Sequence, residues 1–417
     1  MPDFSTESTI KKPTFACSVA KAGNAFVGLK YEKSELEIVF PMGYNIVDSE
    51  NPEFEFQSRK DILNLISVLS SYGDEENKGH IDQESNDIKE QNQFPIHSYL
   101  YICSDFLTHG YYVETDVIYK KSNSGKINWS RTIKHIEPNV CENGVFYSKF
   151  VTRKVNYNEN ELITKVHQWC VYQSFLKIGF LFCSFLPPKP ALEFNKELFK
   201  SVVLSKMSET FNEKSMMLMQ NMLNIIEYKD KSKDAKTETF GTYEFENSWE
   251  GMVESIYGTE DKTKFYPQGL WITDREYPDS ELMPDSIMKA SKDDKRIFVL
   301  DSKYYQHGLY QSKNYGLPHT ADMLKQVAYG EFVEHLGNDG SNVYNVFLMP
   351  YNAQEQSSGL KHIGSAKLKW KEPKPDKQYR KIHGVLLDTR WVMENCTVKN
   401  YEAIEKLAEL IEENKVK

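Results

Sequence analysis

Apolar positions along this chain follow two rhythms. Near the start, Phe15 to Val19, Phe26 to Leu29 and Leu36 to Phe40 are short β-like runs punctuated by Gly23, Gly28, Pro41 and Gly43, which predicts a small sheet. From Ser58 to Ser70 the period changes, and Ile62, Leu65, Ile66 and Leu69 take helical spacing. Asp74 to Gln93 is almost wholly polar, too poor in apolar residues to repay its ordering entropy, and reads as a mobile inserted loop. Residues 98–152 read as strand-like segments and turns, with Asn123-Ser124-Gly125 between the two β-runs of a basic hairpin over 119–133. Glu161 to Phe182 reads as a long helix or helix plus strand. Asn195 to Tyr228 reads as helical, with Leu198, Val202, Met207, Phe211, Met216 and Met219 as its apolar members.

Lys229 to Thr239 is charged and breaker-rich, and marks a domain boundary. Beyond it, Phe245, Trp249, Met252, Val253 and Ile256 form a 3.6-period stripe on a helix that also carries Glu246, Glu250 and Glu254. Strands are predicted at Gly269–Thr273, Ser286–Lys289, Ile297–Leu300 and Asn345–Met349, with a helix over Thr320–His335 capped by Thr320. This alternation predicts an α/β or α+β core with a mixed sheet.

Length, composition and charge narrow the picture. A chain of 417 residues is too long for one ordinary core. Its apolar content of 40% and aromatic content of 13% exclude global disorder. A net charge of −9 argues against a uniformly basic polyanion binder, so any nucleic-acid site is local. Six scattered cysteines with no Cys-x-x-Cys pair fit a reduced, cytoplasmic protein. The N-terminus lacks an apolar signal core, and Ile178–Leu186 falls far short of the ~20 residues that span a bilayer.

Two basic stretches stand out. Lys120, Lys121, Lys126, Arg131 and Lys134 surround Trp129, which suits either phosphodiester contact or a solvated hairpin with Trp129 packed inward. Lys361 to Lys381 interleaves basic residues with Trp370 and Tyr379, so Lys369, Trp370 and Lys371 either line a DNA groove or belong to a solvated linker. The methionines at 216, 217, 219 and 222 read as adaptable core. His307, His319 and His335 lack metal-ligand spacing.

The strand at 297–300 ends in chemistry. Alternation along it puts Asp301 and Lys303 on one face and Ser302 on the other. The acid-x-Lys tripeptide alone means little, since Asp87-Ile-Lys89, Asp234-Ala-Lys236, Asp293-Asp-Lys295 and Glu372-Pro-Lys374 share it. Its placement is what distinguishes it: on an apolar strand, after Pro284-Asp285, after a helix bearing Glu250. Asp279, in a second Pro-Asp-Ser, competes with Asp285, and Glu246 and Glu254 compete with Glu250.

A helix with Glu, then Pro-Asp, then Asp-x-Lys on a core strand resembles the PD-(D/E)xK nuclease arrangement. More narrowly, Trp249-Glu250, Pro284-Asp285, Phe298 to Tyr305, Gln326-Val-Ala-Tyr329 and Gly125 to Ile133 are similar to the LlaJI family of restriction endonucleases, whose catalytic half resembles McrC-type subunits. The resemblance implies a restriction-endonuclease-like nuclease domain over 236–417, with a central mixed sheet flanked by helices. It also implies an N-terminal recognition or assembly region over 1–235, β-rich to about 155 and helical over about 156–235.

The same resemblance implies Asp285 and Asp301 as Mg²⁺ ligands, with Mn²⁺ as a substitute. Ser302 would lend its backbone carbonyl, Lys303 would be the catalytic lysine, and Glu250 would complete the metal site. Hard oxygens suit Mg²⁺, which activates water, while an ammonium stabilises developing charge. Gln326 and Tyr329, on one side of their helix, either position a DNA strand or belong to a surface helix with Tyr329 in the core. Implied partners are double-stranded DNA, a second copy for double-strand cleavage, and a McrB-like AAA+ GTPase, since the chain has no P-loop. The alternative is a non-catalytic DNA-binding or assembly subunit with a nuclease-like fold.

Overall fold

The computed structural model describes residues 15–32, 35–47, 53–72, 94–142, 144–158, 161–231, 237–290, 295–309, 315–336, 342–353, 359–372 and 377–414. The polar stretch 74–93 and the middle of the charged linker, 232–236, lie outside them. The chain forms two units, one from residues 14–91 with 236–417 and one built on residues 92–235. Residues 14–91 therefore group with the later half of the chain, on the far side of the linker.

The first runs form strands β1 (Phe15–Val19), β2 (Val27–Glu32) and β3 (Glu35–Phe40), followed by helix α1 (Phe54–Tyr72). In α1 the predicted Ile62, Leu65, Ile66 and Leu69 are all buried.

The unit on residues 92–235 starts with α2 (Ile96–His109), where strands were expected. Its Tyr, Ile and Cys residues favour strands, but Ile96, Tyr99, Ile102 and Cys103 recur at helical spacing, and all four are buried. Next come β4 (Glu114–Ser122), β5 (Lys126–Ile127) and α3 (Trp129–His135). The second run of the predicted hairpin is thus helical. Asn128 explains this: its Oδ1 accepts the Arg131 amide at 2.9 Å, capping the first turn. A ribbon of β6 (Asn139–Cys141) and β7 (Gly144–Phe146) leads to β8 (Phe150–Asn158), and the sheet order is β4-β8-β5. Helix α4 (Leu162–Ile178) matches its prediction. The span 195–228 divides into α5 (Lys196–Glu209) and α6 (Glu213–Lys231), because Asn212 starts a new cap on Ser215. Phe211, expected inside, is exposed at that break, whereas Met219 and Met222 are buried.

In the other unit, β9 (Thr237–Thr242) completes a sheet of order β1-β3-β2-β9. Gly28 faces Gly241 across β2 and β9, and a Cβ on either would overlap the opposing backbone. Helix α7 (Phe245–Tyr257) buries the whole predicted stripe. A ribbon of β10 (Gln268–Ile272) and β11 (Glu276–Glu281) precedes β12 (Ser286–Met288) and β13 (Arg296–Ser302). Helix α8 (Thr320–Leu336), β14 (Asn342–Tyr351) and β15 (Leu360–Ala366) follow. Beyond the reach of the sequence reading lie β16 (Ile382–Asp388), α9 (Thr389–Asn395) and α10 (Tyr401–Glu413).

The central sheet runs β12-β13-β14-β16-β15. Strands β13, β14 and β16 are parallel, with antiparallel β12 and β15 at the edges. Their continuous apolar runs suit a sheet covered on both faces. Helix α8 packs on β13 and β14, while α1, α9 and α10 pack with α7. The result is the mixed α/β architecture expected. Among the described residues no helix is long and apolar enough to cross a membrane.

Candidate active site

The site forms where β13 leaves the sheet. Strand β12 runs antiparallel to β13 with Ser286 opposite Leu300, so Asp285 arrives beside the Asp301–Ser302 end. Asp285 Oδ2 accepts the Ser302 amide at 2.7 Å. Asp301 is buried and points to the same side as Lys303, whose Nζ lies 3.1 Å from Oδ1 and 3.0 Å from Oδ2 of that carboxylate. Asp322, in the first turn of α8, adds a longer contact to Lys303 at 3.8 Å. The Lys303 amide still donates to Leu348 O at 2.8 Å, so the lysine is held as an extension of the strand.

Electrostatics tie these groups to Glu250 on α7. Burial pushes the Asp285 carboxyl well above its usual range, and the neighbouring Asp301 and Glu250 charges push it further, against the Ser302 amide and the Lys303 ammonium. Glu250 is also raised, by burial first, then by Asp301 and Glu246 acting against Lys303. Burial disfavours the Lys303 charge, but pairing with Asp301, together with Asp285 and Asp322, outweighs it and holds the ammonium charged. The pocket thus gathers the interacting carboxyls of Asp285, Asp301 and Glu250 around Lys303, with Lys325 acting on the same set from α8.

The arrangement depends on Tyr304. Its hydroxyl accepts the Met42 amide at 2.7 Å, and its ring packs against Phe245 and Trp249, at centroid distances of 5.5 and 6.3 Å. Gln306 Nε2 reaches Lys21 O at 2.5 Å. The loops of the small N-terminal sheet therefore brace the segment that follows Lys303, and the same tyrosine touches the helix carrying Glu250.

Among the described residues, no three His, Cys, Asp or Glu side chains converge closely enough to make a metal site by themselves. Asp285 and Asp301 nonetheless suit a cation that takes one or two carboxylates and leaves its other positions to water and phosphate oxygens, as Mg²⁺ does. Burial and the Asp301 and Glu250 charges raise the Asp285 carboxyl, a repulsion that a bound cation would relieve.

A model of the LlaJI restriction endonuclease family matches residues 26–376, a span that contains every one of these side chains. The chain belongs to the LlaJI restriction endonuclease family. The Type II restriction enzyme BsuMI component YdjA of Bacillus subtilis (strain 168) is 26% identical to this LlaJI-family chain over 275 residues, which cover 61% of the chain and 57% of YdjA. The match thus spans a little over half of that relative. Two solved structures of Thermococcus gammatolerans proteins are also similar. One, a half-complex from a tetradecameric assembly of McrB AAA+ hexamers with bound McrC, gives 14% identity and a TM-score of 0.32 over 92% of this chain and 82% of that one. The other, the McrBC complex, gives 12% identity and a TM-score of 0.20 over 53% and 62%.

The remaining candidates of the LlaJI-family chain separate clearly. Asp279 lies exposed on β11, away from the Ser302 amide that Asp285 engages. Glu246 is exposed, and Glu254 pairs with Lys262 at 3.1 Å. Of the two readings for Gln326 and Tyr329, a DNA contact or a helix with Tyr329 in the core, the structure gives the core position to Tyr329 and to Gln326 as well, since both are fully buried. Gln326 Nε2 donates to Val299 O at 2.7 Å and so holds β13, while Tyr329 OH donates to Met283 O at 3.1 Å and holds the segment that leads into Asp285 and β12. Lys369, Trp370 and Lys371 are exposed on the segment after β15. His307 engages Tyr315 O through Nδ1 at 2.9 Å.

Sequence reasoning missed Asp322, Tyr304 and Asn345. Asp322 carries a local signal, an acid in a first helical turn, where its Oδ2 accepts the His319 amide at 2.8 Å and the Tyr305 hydroxyl at 3.4 Å. Asn345 carries none beyond being polar in an apolar run. Its Nδ2 donates to Gln326 O at 2.8 Å and to Tyr379 O at 2.6 Å.

Proposed function

We propose that this chain is the DNA-cleaving subunit of a restriction system, a Mg²⁺-dependent endonuclease of the PD-(D/E)xK type that hydrolyses phosphodiester bonds. The observation that carries this reading is the joint geometry at the end of β13: Asp285 on the Ser302 amide, and Lys303 on both oxygens of Asp301. Membership of a restriction endonuclease family supplies the substrate class.

Asp285 and Asp301 would hold the cation, with the Ser302 carbonyl as a further oxygen and Glu250 adjusting the charge of the set. When bound, the cation supplies Lewis acidity toward the scissile phosphate and lowers the pKa of water. Lys303, held charged beside the site, places its ammonium where the phosphorane charge develops. Asp322 and Tyr305 confine that lysine from the α8 side. Lys369, Trp370 and Lys371 lie exposed, where a DNA backbone can be gripped by cation and ring together.

Nucleotide-driven movement along DNA would need a separate McrB-like AAA+ subunit, because the sequence has no Gly-x-x-x-x-Gly-Lys-Ser/Thr. Cutting both strands would need a second copy.

Purified chain with plasmid DNA and Mg²⁺, with and without such a motor subunit, tests the reading. Cleavage that disappears with EDTA and in Asp301→Asn supports it. Cleavage that persists in Asp301→Asn overturns it, and no cutting under any condition favours a non-catalytic assembly subunit.

A further inference from the structure

Although the chain is acidic overall, the stretch from Val117 to Lys154 holds eight Lys and Arg against two acids, Glu137 and Glu142. The structure gathers these cations on one small sheet with α3. Register places Tyr119 opposite Arg153 on β8, and Arg153 opposite Lys126 on β5. Two like charges thus stand directly across a strand pair, a pairing that is destabilising unless an anion intervenes. Lys121 lies two residues beyond Tyr119, on the same face of β4.

Arg131 joins this row from the helix. Its guanidinium stacks over the Tyr119 ring at 3.8 Å. The helix that supplies it is fixed, since the fully buried Thr132 accepts the Val151 amide at 2.9 Å, and the Asn128 amide donates to Val151 O at 2.8 Å. Lys126, Arg131 and Arg153 are all exposed, and no described carboxylate lies within ion-pair distance of any of them. Trp129 stands beside them, 54% exposed, with only ring edges against Tyr147 and Phe150.

We infer that β4, β5, β8 and α3 form a sequence-independent phosphate-binding surface for double-stranded DNA, built from none of the residues of the cleavage site. Three features support an anion over a solvated face. Like charges are placed in register, where mutual repulsion is greatest. Arg131, beside that pair, is stacked on Tyr119, so its ordering cost is already met by the fold. Among the described residues their exposed heads have no carboxylate within ion-pair distance. The linear charge of a DNA backbone answers such a row, and neutralising it releases counterions. Choosing DNA over another polyanion rests on the nuclease reading, which supplies the substrate class.

The test uses full-length protein in EDTA, so that no strand is cut, and a fluorescent duplex of about 30 bp, titrated between about 50 and 200 mM salt. The triple variant Lys126→Glu, Arg131→Glu, Arg153→Glu is expected to lose at least about tenfold in affinity, and its log–log salt slope to fall by about 2–3. The milder triple Lys126→Gln, Arg131→Gln, Arg153→Gln keeps the experiment decisive if charge reversal disturbs folding. Lys406→Glu, at an exposed position of α10, controls for charge reversal elsewhere on the chain. Equal affinity and slope in wild type and both triples overturn the proposal. So does retained duplex binding with selective loss of binding to a polyglutamate probe, which assigns the surface to an acidic protein. Failure of the nuclease reading shows separately, as a wild type that binds duplex through this surface but never cuts it with Mg²⁺.

Discussion

Lys303 Nζ sits 3.1 and 3.0 Å from the two oxygens of the Asp301 carboxylate, which the fold removes almost entirely from water. Removing one partner of a buried pair strands the other charge, which typically costs about 3–5 kcal/mol, whereas replacing both is often near neutral. Lys303→Met is therefore expected to destabilise the protein by a few kcal/mol on that scale. Asp301→Asn combined with Lys303→Met is expected to recover most of the loss. Urea unfolding of the two single variants and the double gives the coupling energy, and additive losses would contradict the pairing. Cleavage is expected to be absent or lowered about 10²–10³-fold or more in all three, as when one transition-state donor is lost.

Asp285 carries a different consequence, because its folded carboxyl is raised by burial and by Asp301 and Glu250. An unfolded Asp titrates near 3.9, so above that pH and up to the folded value the native state binds the extra proton. Stability contributed by this group consequently falls as pH rises through that interval. Asp285→Asn removes the penalty while keeping an oxygen to accept the Ser302 amide. In EDTA its melting temperature is expected to exceed that of wild type at pH 8, and the gap is expected to close toward pH 4. Mg²⁺ is expected to raise the melting temperature of wild type only. A lower melting temperature for Asp285→Asn at pH 8 would refute this account.

How much of this was legible in the chain depends on the range of each interaction. The stripe of α7 and the apolar strand β13 are local patterns, and both were readable with their burial. That Asp301 and Lys303 share one face followed from strand alternation. The preference for Asp285 over Asp279 needed the antiparallel pairing of β12 with β13, which only adjacency to a predicted strand could hint at. Gln326 shows the opposite failure. A polar residue on a helix reads as surface unless its partners, Val299 and Asn345, are known, and those lie 27 and 19 residues away. The grouping of β1 to β3 with the later half of the chain was equally hidden, because strand pairing of β2 with β9 spans the whole intervening unit.

Tyr304 makes that distant grouping testable. Its buried hydroxyl accepts the Met42 amide at 2.7 Å, so Tyr304→Phe leaves a buried N–H without a partner. The expected cost is about 1–3 kcal/mol, seen as a lower urea midpoint with an unchanged slope. A change of less than a few tenths of a kcal/mol would mean that the N-terminal loop does not brace the segment after Lys303.

Gln326 yields the sharpest contrast between a structural and a DNA-contacting role. Its amide crosses from α8 to the β13 backbone at Val299 O and touches Asn345 Oδ1 at 3.4 Å, and no part of it reaches solvent. A residue that met DNA would, when replaced by Leu, weaken duplex binding and leave stability alone. The burial predicts the reverse. Gln326→Leu removes a donor from Val299 O and disturbs the Asn345 network, so a loss of about 1–3 kcal/mol is expected on unfolding. Duplex affinity in EDTA is expected to stay within about twofold of wild type at a temperature where both are folded, since no phosphate contact is removed. Weaker duplex binding with unchanged stability would restore Gln326 as a DNA contact and require α8 to open in the complex.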